Sequence, residues 1–274
     1  MLKISIVTPS FNSAKFIEDC IQSVLNQNYP NFEHMIIDGG STDGTQEILK
    51  KYPHLSWISE SDRGQSDALN KGFNLARGDI IGWLNSDDYF LENAFLSFNN
   101  SYECNKNGDY YYGDYFIVDY LGNPIRLVRP IRYDFKIILH YGPFIPSSGS
   151  FFKKDLILEG FQLDVNHHYN MDRKFLLDLG YAEKKIIYIN KPLSCFRVHQ
   201  YNVSNPSSSV FSRSARNKAQ DDESDKVLYS FCKSFNNHHY EKIRKKLFRI
   251  FYRIKFLLIR IYEWKYSKNM KELI

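Results

Sequence analysis

The chain has 274 residues, of which 43% are hydrophobic, so it is long and apolar enough to bury one sizeable core. It contains no repeat or low-complexity segment, which excludes a fibrous, collagenous or disordered protein. Its four scattered cysteines indicate neither a zinc site nor a disulfide framework. Residues 1–12 begin with a strand-like run instead of a signal peptide, and no uncharged apolar stretch is long enough to span a bilayer. We therefore expect a cytoplasmic protein.

Charge is unevenly distributed along the chain. The total is +5, but residues 237–274 carry 11 Lys and Arg against 3 Asp and Glu, a net charge of +8, which leaves −3 for the preceding 236 residues. A slightly acidic body therefore precedes a strongly basic tail. Such a tail suits nucleic acid, an anionic membrane or an acidic partner, and composition alone does not choose among them.

The first ninety residues alternate predicted strands with predicted helices. Short β-branched runs predict strands at 4–7, 35–37, 55–59 and 80–84, and apolar residues at three- and four-residue spacing predict helices at 13–25, 42–51 and 65–76. This order is typical of an α/β fold with a mostly parallel sheet and helices on both faces.

The second half of the chain changes character. Aromatic alternation over 110–128 predicts an antiparallel hairpin, with further strands at 149–153 and 185–197 and a helix at 171–179. We predict that the first domain spans residues 1–205, that a polar linker spans 206–225, and that a basic helical tail spans 226–274.

Polar residues follow all four of the first predicted strands. These segments are Thr8–Asn12, Asp38–Thr45, Glu60–Gln65 and Asn85–Asp88. Such residues are also ordinary in βα turns and helix caps. Because ligands bind beyond the carboxyl ends of the strands in such sheets, four polar ends at one edge indicate a binding cleft. The Asp87-Asp88 pair suits a divalent cation that also holds phosphate oxygens, although it equally fits a helix cap.

Four segments carry a family resemblance. SIVTPSFN, IIDGGSTDGT, DRGQSDALNKG and GWLNSDDYF, in this order and spacing, resemble the N-terminal half of the family 2 glycosyltransferases. The resemblance is dense over residues 3–95 and looser to about Ser204. It implies a GT-A fold and an inverting enzyme that uses Mn²⁺ or Mg²⁺ to move a sugar from a nucleotide diphosphate, with UDP as the expected nucleotide, to an acceptor hydroxyl.

The resemblance also implies a donor site and a metal site. The implied donor-binding residues are Pro9, Phe11, Asp38, Asp62, Asn85 and Asp87. Asn85 departs from the family's D-x-D motif, since an amide still hydrogen-bonds a ribose hydroxyl but removes a charge. The implied metal ligand is Asp87, with Asp88 in reserve. His199 resembles the family's late Arg-x-His and is expected near the metal or diphosphate, although a strand-end histidine of no special role is the alternative.

The general base is expected at the start of the helix near 171. The segment NHHYNMDRKFLLDLG resembles the family's base-bearing segment and implies Asp172 as the base, with Asp164 as its substitute. Met171 replaces an acid that is usual there. Asp172 alternatively caps the helix or pairs with Arg173 or Lys174.

Other polar residues are less informative. Arg197 fits either a phosphate contact or a solvated strand position, and we expect His167, His168, His238 and His239 at the surface. The segment GPFIPSSGSFFKK resembles the family's acceptor-shaping segment but does not identify the acceptor.

The basic tail can be drawn as a helix over 242–262. Six apolar residues fall on one face, namely Leu247, Ile250, Phe251, Ile254, Leu258 and Ile261, and a basic stripe lies opposite. This pattern suits an anionic membrane surface, and it equally suits packing on the first domain or on a second copy of the chain. Nucleic-acid binding is disfavoured because no reader motif accompanies the charge.

Two other functions are alternatives to the glycosyltransferase interpretation. A sugar nucleotidyltransferase shares the α/β pattern but normally has a Gly-rich, Arg-containing loop after the first strand, which TPSFNSAKF lacks. A catalytically silent module that assembles a complex is consistent with the departures at Asn85 and Met171. The family and the tail together favour a bacterial surface-glycan or glycoprotein-glycan enzyme at the inner face of the membrane, with a saccharide, lipid-linked or glycoprotein acceptor.

Overall fold

The structure is a computed structural model that describes residues 2–142, 144–200, 202, 222–224, 226, 227, 231 and 250–259. Within that part of the chain, a nine-stranded mixed sheet has the order β3-β2-β1-β4-β8-β6-β9-β5, and β7 pairs with β6. The strands are β1 (Ile4–Ser10), β2 (Phe32–Asp38), β3 (Leu55–Ser59), β4 (Ile80–Trp83), β5 (Tyr89–Phe90), β6 (Tyr110–Val118), β7 (Pro124–Val128), β8 (Ser150–Lys153) and β9 (Ile186–Arg197).

The sheet is parallel at one side and mixed at the other. Strands β3, β2, β1 and β4 are mutually parallel, as their βα alternation predicted. Beyond β4, the strands β8 and β6 join in antiparallel pairs, β9 runs parallel to β6, and β5 runs antiparallel to β9. The α/β expectation is confirmed, and the sheet is more evenly mixed than the mostly parallel arrangement that the first ninety residues indicate.

The helices cover the sheet and connect its strands. They are α1 (Ile17–Leu25), α2 (Thr45–Leu49), α3 (Gln65–Leu75), α4 (Ala94–Cys104), α5 (Phe135–His140), α6 (Asp155–Leu158) and α7 (Met171–Tyr181). Helix α5 has a side-chain cap, because the Asp134 carboxylate accepts a hydrogen bond from the Ile137 amide. Helices α4, α5 and α6 and the short strand β5 have no counterpart among the predicted elements.

Aromatic side chains fill the core on both faces of the sheet. Phe151 and Phe152 are neighbours on β8, so the strand's two-residue period directs them to opposite faces. Phe152 packs with Phe73 of α3 and Phe175 of α7, whereas Phe151 stacks on Phe98 of α4 with ring centroids 4.4 Å apart. Truncating one of these buried rings to alanine is expected to cost about 3–5 kcal/mol of unfolding free energy. The sheet edge that bears the polar loops is therefore held by a rigid core.

Two C-terminal segments are described besides the sheet domain. Residues 222–224 are helical and Glu223 is buried, although the sequence assigns them to a linker. Residues 250–259, called the tail helix below, are also helical, and Tyr252 packs against Ile131 and Ile137. The remaining residues of the predicted tail helix lie outside the described residues.

Among the described residues, no helix has both the length and the apolar character needed to cross a membrane.

Candidate active site

A cleft of about 1170 Å³ opens at the carboxyl ends of β1 and β4. Its walls come from the segment after β1, the loops after β2 and β3, residues 85–87 after β4, residues 144–147, the start of α7 and the end of β9. Ligand pockets commonly measure roughly 300–1,000 Å³, so the cleft has room for a ligand of nucleotide-sugar size. Its position is the one that strand-end reasoning predicts for an open α/β sheet.

Phe11, Gly39 and Asp62 meet at one end of this cleft. A Cβ on Gly39 would lie 2.7 Å from Asp62 Oδ2 and 3.3 Å from Phe11 Cδ2, so a larger residue at position 39 would displace the Asp62 side chain. The Phe11 ring is 64% exposed and lines the cleft beside Pro9. An exposed ring next to a carboxylate offers both stacking and hydrogen bonding to a planar heterocycle.

Asp38 does not reach the cleft with its side chain. It is fully buried and accepts hydrogen bonds from the Ser41 amide at 2.9 Å, the Ser41 hydroxyl at 2.5 Å and the Ser59 hydroxyl at 2.6 Å. These bonds tie the loop after β2 to the end of β3. The structure therefore gives Asp38 a loop-fixing role in place of the base contact that the resemblance implies.

The carboxylate of Asp87 faces the cleft with two polar partners. His199 Nε2 lies 3.1 Å from Asp87 Oδ2, and Asn202 Nδ2 donates to the same oxygen at 3.0 Å. The His199 ring stacks on Phe16 with centroids 4.5 Å apart, which fixes its orientation. Asp87, His199 and Asn202 all line the cleft, so the predicted pair of Asp87 and His199 is brought together.

Asp88 is turned away from the cleft and is 1% exposed. Its carboxylate accepts from Ser148 Oγ at 2.5 Å, from the Arg197 amide at 2.9 Å and from Asn85 Nδ2 at 3.3 Å. Burial, and next the charge of Asp87, raise the pKa of Asp88 well above its ordinary value, while the three hydrogen bonds oppose this shift. Asp88 therefore joins the ends of β4, β8 and β9, and the structure does not offer it as a metal ligand.

The side chain of Asn85 is held by three hydrogen bonds. Its Oδ1 accepts from Trp83 Nε1 at 2.9 Å and from Gln65 Nε2 at 2.8 Å, and its Nδ2 donates to Asp88. Aspartate has no donor for that last contact. The departure from D-x-D at this position thus has a local physical reason, and Asn85 still lines the cleft.

Asp172 lies at the start of α7 and lines the cleft with Met171. Burial raises the pKa of Asp172, and the amide of Arg173, which donates to Asp172 Oδ1 at 2.7 Å, together with the Arg173 charge opposes the shift. Arg173 itself points elsewhere, because its guanidinium donates to the carbonyls of Ile138 and Leu139. The Met171 sulfur accepts a hydrogen bond from Ser66 Oγ at 2.9 Å, and this contact packs α7 against α3.

Several other sequence expectations are corrected. Asp164 lines a separate cavity of about 440 Å³, and its carboxylate accepts a hydrogen bond from the Asn166 amide. It therefore does not line the main cleft, where a substitute base would have to lie. Arg197 is buried and pairs with Asp19 at 2.6 Å, with its guanidinium over the Phe16 ring, which excludes a solvated role. His167 is buried rather than at the surface, whereas His168 is exposed, as expected, and lines the cleft. His238 and His239 lie outside the described residues.

Comparison of the sequence with protein families shows which family the chain belongs to. The model of glycosyl transferase family 2 matches residues 5–155, more than half of the chain. The chain belongs to glycosyl transferase family 2. The matched residues include the segments after β1, β2, β3 and β4 that line the cleft. The recognition of this family from four short segments is thereby confirmed.

One relative is the Bacillus subtilis (strain 168) protein TuaG, named as a putative teichuronic acid biosynthesis glycosyltransferase. It is 40% identical over 91 residues, which is 31% of this chain and 36% of TuaG. The similarity thus spans about a third of that relative's length. It supports the family without extending over the whole of either protein.

Solved structures share the fold over most of the chain. TarS of S. aureus in complex with UDP-GlcNAc has a TM-score of 0.60 at 17% identity, over 93% of this chain and 80% of that chain. Mannosyltransferase PcManGT of Pyrobaculum calidifontis in complex with GDP-Man and Mn²⁺ has a TM-score of 0.56 at 14% identity, over 100% of this chain and 88% of that chain. The fold of this family 2 member is the GT-A fold that the resemblance implied.

Sequence reasoning missed three residues of the family 2 site. Asn202 holds Asp87, Ser148 holds Asp88, and Glu223 accepts the amides of His168 at 3.0 Å and Tyr169 at 2.8 Å. The looser resemblance reaches about Ser204 and so includes Asn202, but it assigns no role to that residue, and Glu223 lies beyond it. Ser148 lies inside the acceptor-shaping segment, but serine in a loop carries no signal of its own.

Proposed function

We propose that this family 2 enzyme transfers one sugar from a UDP-linked donor to an acceptor hydroxyl, with inversion at the anomeric carbon. The observation that supports this most directly is that one cleft contains the Phe11 and Asp62 end, the Asp87 and His199 pair, and Asp172. The three groups supply, in order, a surface for a nucleobase, ligands for a cation at a diphosphate, and a carboxylate for an acceptor proton.

Two solved structures that share the fold support a nucleotide-sugar donor. TarS binds UDP-GlcNAc and PcManGT binds GDP-Man, so the fold accepts both uracil and guanine nucleotides. We favour UDP for this chain because the exposed Phe11 ring and the Asp62 carboxylate suit a base that stacks on one face and donates one N–H at its edge.

The side chains at Asp87 fit a bound Mn²⁺ or Mg²⁺. A carboxylate and an imidazole are ligands that Mn²⁺ accepts, and phosphate oxygens of a donor complete such a site. The described residues hold no group of three or more His, Cys, Asp or Glu side chains arranged for a metal, and from this part of the chain we propose Asp87 and His199 as the two ligands. When bound, the cation neutralises charge on the departing diphosphate. Asn202 donates to Asp87 and keeps its carboxylate oriented.

Asp172 is the residue we assign as general base. Its carboxylate accepts the proton of the acceptor hydroxyl while that oxygen bonds to the anomeric carbon, and the bond from this carbon to the diphosphate oxygen breaks. UDP leaves with the electron pair of that bond. One displacement of this kind inverts the anomeric carbon. The hydrogen bond from the Arg173 amide holds the Asp172 carboxylate at the start of α7.

The product belongs, in this proposal, to a bacterial surface polysaccharide or a glycoprotein glycan. TuaG supports the first of these classes, since its name assigns it to teichuronic acid biosynthesis. The acceptor carries a hydroxyl and is a saccharide, free, lipid-linked or protein-linked.

The test is release of UDP from a panel of UDP-sugars in the presence of MnCl₂. Asp172→Asn is expected to lower the rate by about 10²–10⁴-fold, because the base is lost for water and acceptor alike, and to leave UDP affinity unchanged. Asp178→Asn is the matched control, since Asp178 lies on the same helix and pairs with Lys174. Its rate should stay within about threefold of wild type.

Two results would contradict the proposal. Wild-type turnover by Asp172→Asn would refute the assignment of the base. Absence of UDP release from every UDP-sugar, with or without Mn²⁺, would favour the catalytically silent module, and formation of a nucleotide sugar from a nucleoside triphosphate would favour the nucleotidyltransferase.

A further inference from the structure

The tail helix, residues 250–259, is fixed to the GT-A domain by one of its faces. Tyr252 stacks on His140 with ring centroids 5.0 Å apart, and Phe256 stacks on Tyr141 at 4.4 Å. Lys255 adds an ion pair to Asp134 at 2.6 Å. This face buries aromatic surface against α5, so the helix is held in a defined orientation.

The opposite face of the tail helix is apolar and exposed to solvent. Its large side chains are between 47% and 60% exposed, and they are Ile250, Phe251, Ile254, Leu257 and Leu258. At 3.6 residues per turn these five positions form an arc of about 120°. Four of these five residues, all except Leu257, are among those that the sequence pattern places on one face of the helix. The structure shows that this face points away from the domain, and a contiguous apolar patch of this kind marks an interaction surface.

The positive charge of the segment that contains this face favours an anionic partner. Residues 250–259 contain no acidic residue, and Arg253 is exposed while Lys255 is already paired. The sequence from 237 to 274 carries a net charge of +8, against −3 for the rest. An apolar helix face within a strongly basic segment is complementary to an anionic bilayer surface.

A second copy of the chain fits this face less well. Ten helical residues span about 15 Å with a width of about 10 Å, which gives a footprint of about 150 Å². Stable protein interfaces bury about 800 Å² per partner. A membrane interface has no such threshold, because each apolar side chain inserts separately and basic residues add attraction.

The docked helix also lies beside the cleft. Phe144 lines the cleft and packs against Phe256 with ring centroids 5.8 Å apart. A membrane on the outer face of the helix would therefore be close to the side of the cleft formed by residues 144–147.

We propose that the exposed face of the tail helix docks the enzyme on an anionic membrane surface, with the cleft beside the bilayer. The docking surface comprises Ile250, Phe251, Ile254, Leu257 and Leu258. The proposal does not depend on the identity of the donor or on Asp172.

The test is co-sedimentation of the full chain with phosphatidylcholine vesicles and with vesicles that also contain phosphatidylglycerol. Wild type should bind the anionic vesicles, and salt should weaken this binding. Leu258→Ser combined with Phe251→Ser should reduce the binding by about tenfold or more, since two inserted side chains are lost. Leu158→Ser is the control, because Leu158 is 75% exposed but lies at the end of α6.

Thermal unfolding of each variant checks that the fold is retained. Equal vesicle binding by wild type and the double variant would overturn the proposal, as would the absence of wild-type binding to anionic vesicles. A wild-type dimer in sedimentation velocity that the double variant abolishes, without any vesicle binding, would assign this face to self-association instead.

Discussion

Asp87 and Asp88 are adjacent carboxylates with different environments. Asp87 faces the cleft, with His199 and Asn202 at its Oδ2, whereas Asp88 is buried under three hydrogen bonds. The resemblance implies Asp87 as the metal ligand with Asp88 in reserve, and the structure places only the Asp87 carboxylate at the cleft. The burial of Asp88 depends on the Arg197 amide at the end of β9 and on Ser148, which precedes β8, and both lie far along the chain.

Changing Asn85 to aspartate tests the origin of the D-x-D departure. Asn85→Asp removes the donor to Asp88 Oδ2 and places two carboxylates about 3.3 Å apart. We expect a loss of about 1–3 kcal/mol of unfolding free energy, larger at pH 8 than at pH 5 because both acids ionise as pH rises. Denaturant unfolding at the two pH values measures this. Asn107→Asp in an exposed turn should change stability by less than about 0.5 kcal/mol, and an equal effect at both positions would contradict the account.

The raised pKa of Asp172 predicts the acid limb of the pH–rate profile. A base acts when ionised, so the rate is full above the pKa of Asp172 and falls as pH drops through it. Burial is the main cause of the raised pKa, which places this limb above the ordinary aspartate value of 3.8. Rates of UDP release between pH 4 and pH 8 measure the limb. A wild-type rate that shows no such fall, or a residual Asp172→Asn activity with the same limb, would contradict the assignment.

At the scale of elements, the start of α7 depends on a distant segment. The buried Glu223 accepts both the His168 and Tyr169 amides, four and three residues before Asp172. Both His168 and Tyr169 line the cleft, so Glu223 fixes the backbone that leads to Asp172. We assign Glu223 as a positioning residue.

Glu223→Ala leaves two amides without their carboxylate. Because an unsatisfied buried donor costs about 1–3 kcal/mol, we expect hydrogen exchange in residues 165–172 to accelerate by about 5- to 100-fold. The rate of UDP release should fall by about tenfold while UDP affinity holds. Asp222→Ala, at an exposed neighbouring position, is the control. Unchanged exchange at 165–172 in Glu223→Ala would refute this role.

The sequence predicted the elements that depend on residues close together in the chain. Strand β3 was predicted at its observed bounds, and the hairpin of β6 and β7 follows from its aromatic alternation and turn. The antiparallel insertion of β8 between β4 and β6 was not predicted, since β4 is about 70 residues and β6 about 40 residues away from β8 in sequence. The amphipathic pattern of the tail was predicted. Which face packs on the domain depends on His140 at the end of α5 and on the next residue, Tyr141, whose rings stack on aromatic side chains of the tail helix.

At the scale of the whole molecule, the two halves of the sheet contribute different parts of the cleft. The parallel half supplies Pro9, Phe11 and Asp62, which form the end assigned to the nucleobase. The mixed half supplies His199 and, through α7, Asp172. Asp87 lies where β4 meets the mixed half. The family segments are concentrated in the parallel half, which is why the sequence assigns more residues to the nucleobase end of the cleft than to the opposite side.

The most direct test of the account is calorimetric titration of UDP, GDP and dTDP, each with and without Mn²⁺, into wild type, Asp87→Ala and the exposed control Asp155→Ala. The account predicts that UDP binds wild type and Asp155→Ala in the presence of Mn²⁺, and that Asp87→Ala weakens this binding by about 10–100-fold. Equal UDP affinity of wild type and Asp87→Ala, or no binding of any nucleotide, would contradict a metal-assisted nucleotide-sugar site in this cleft.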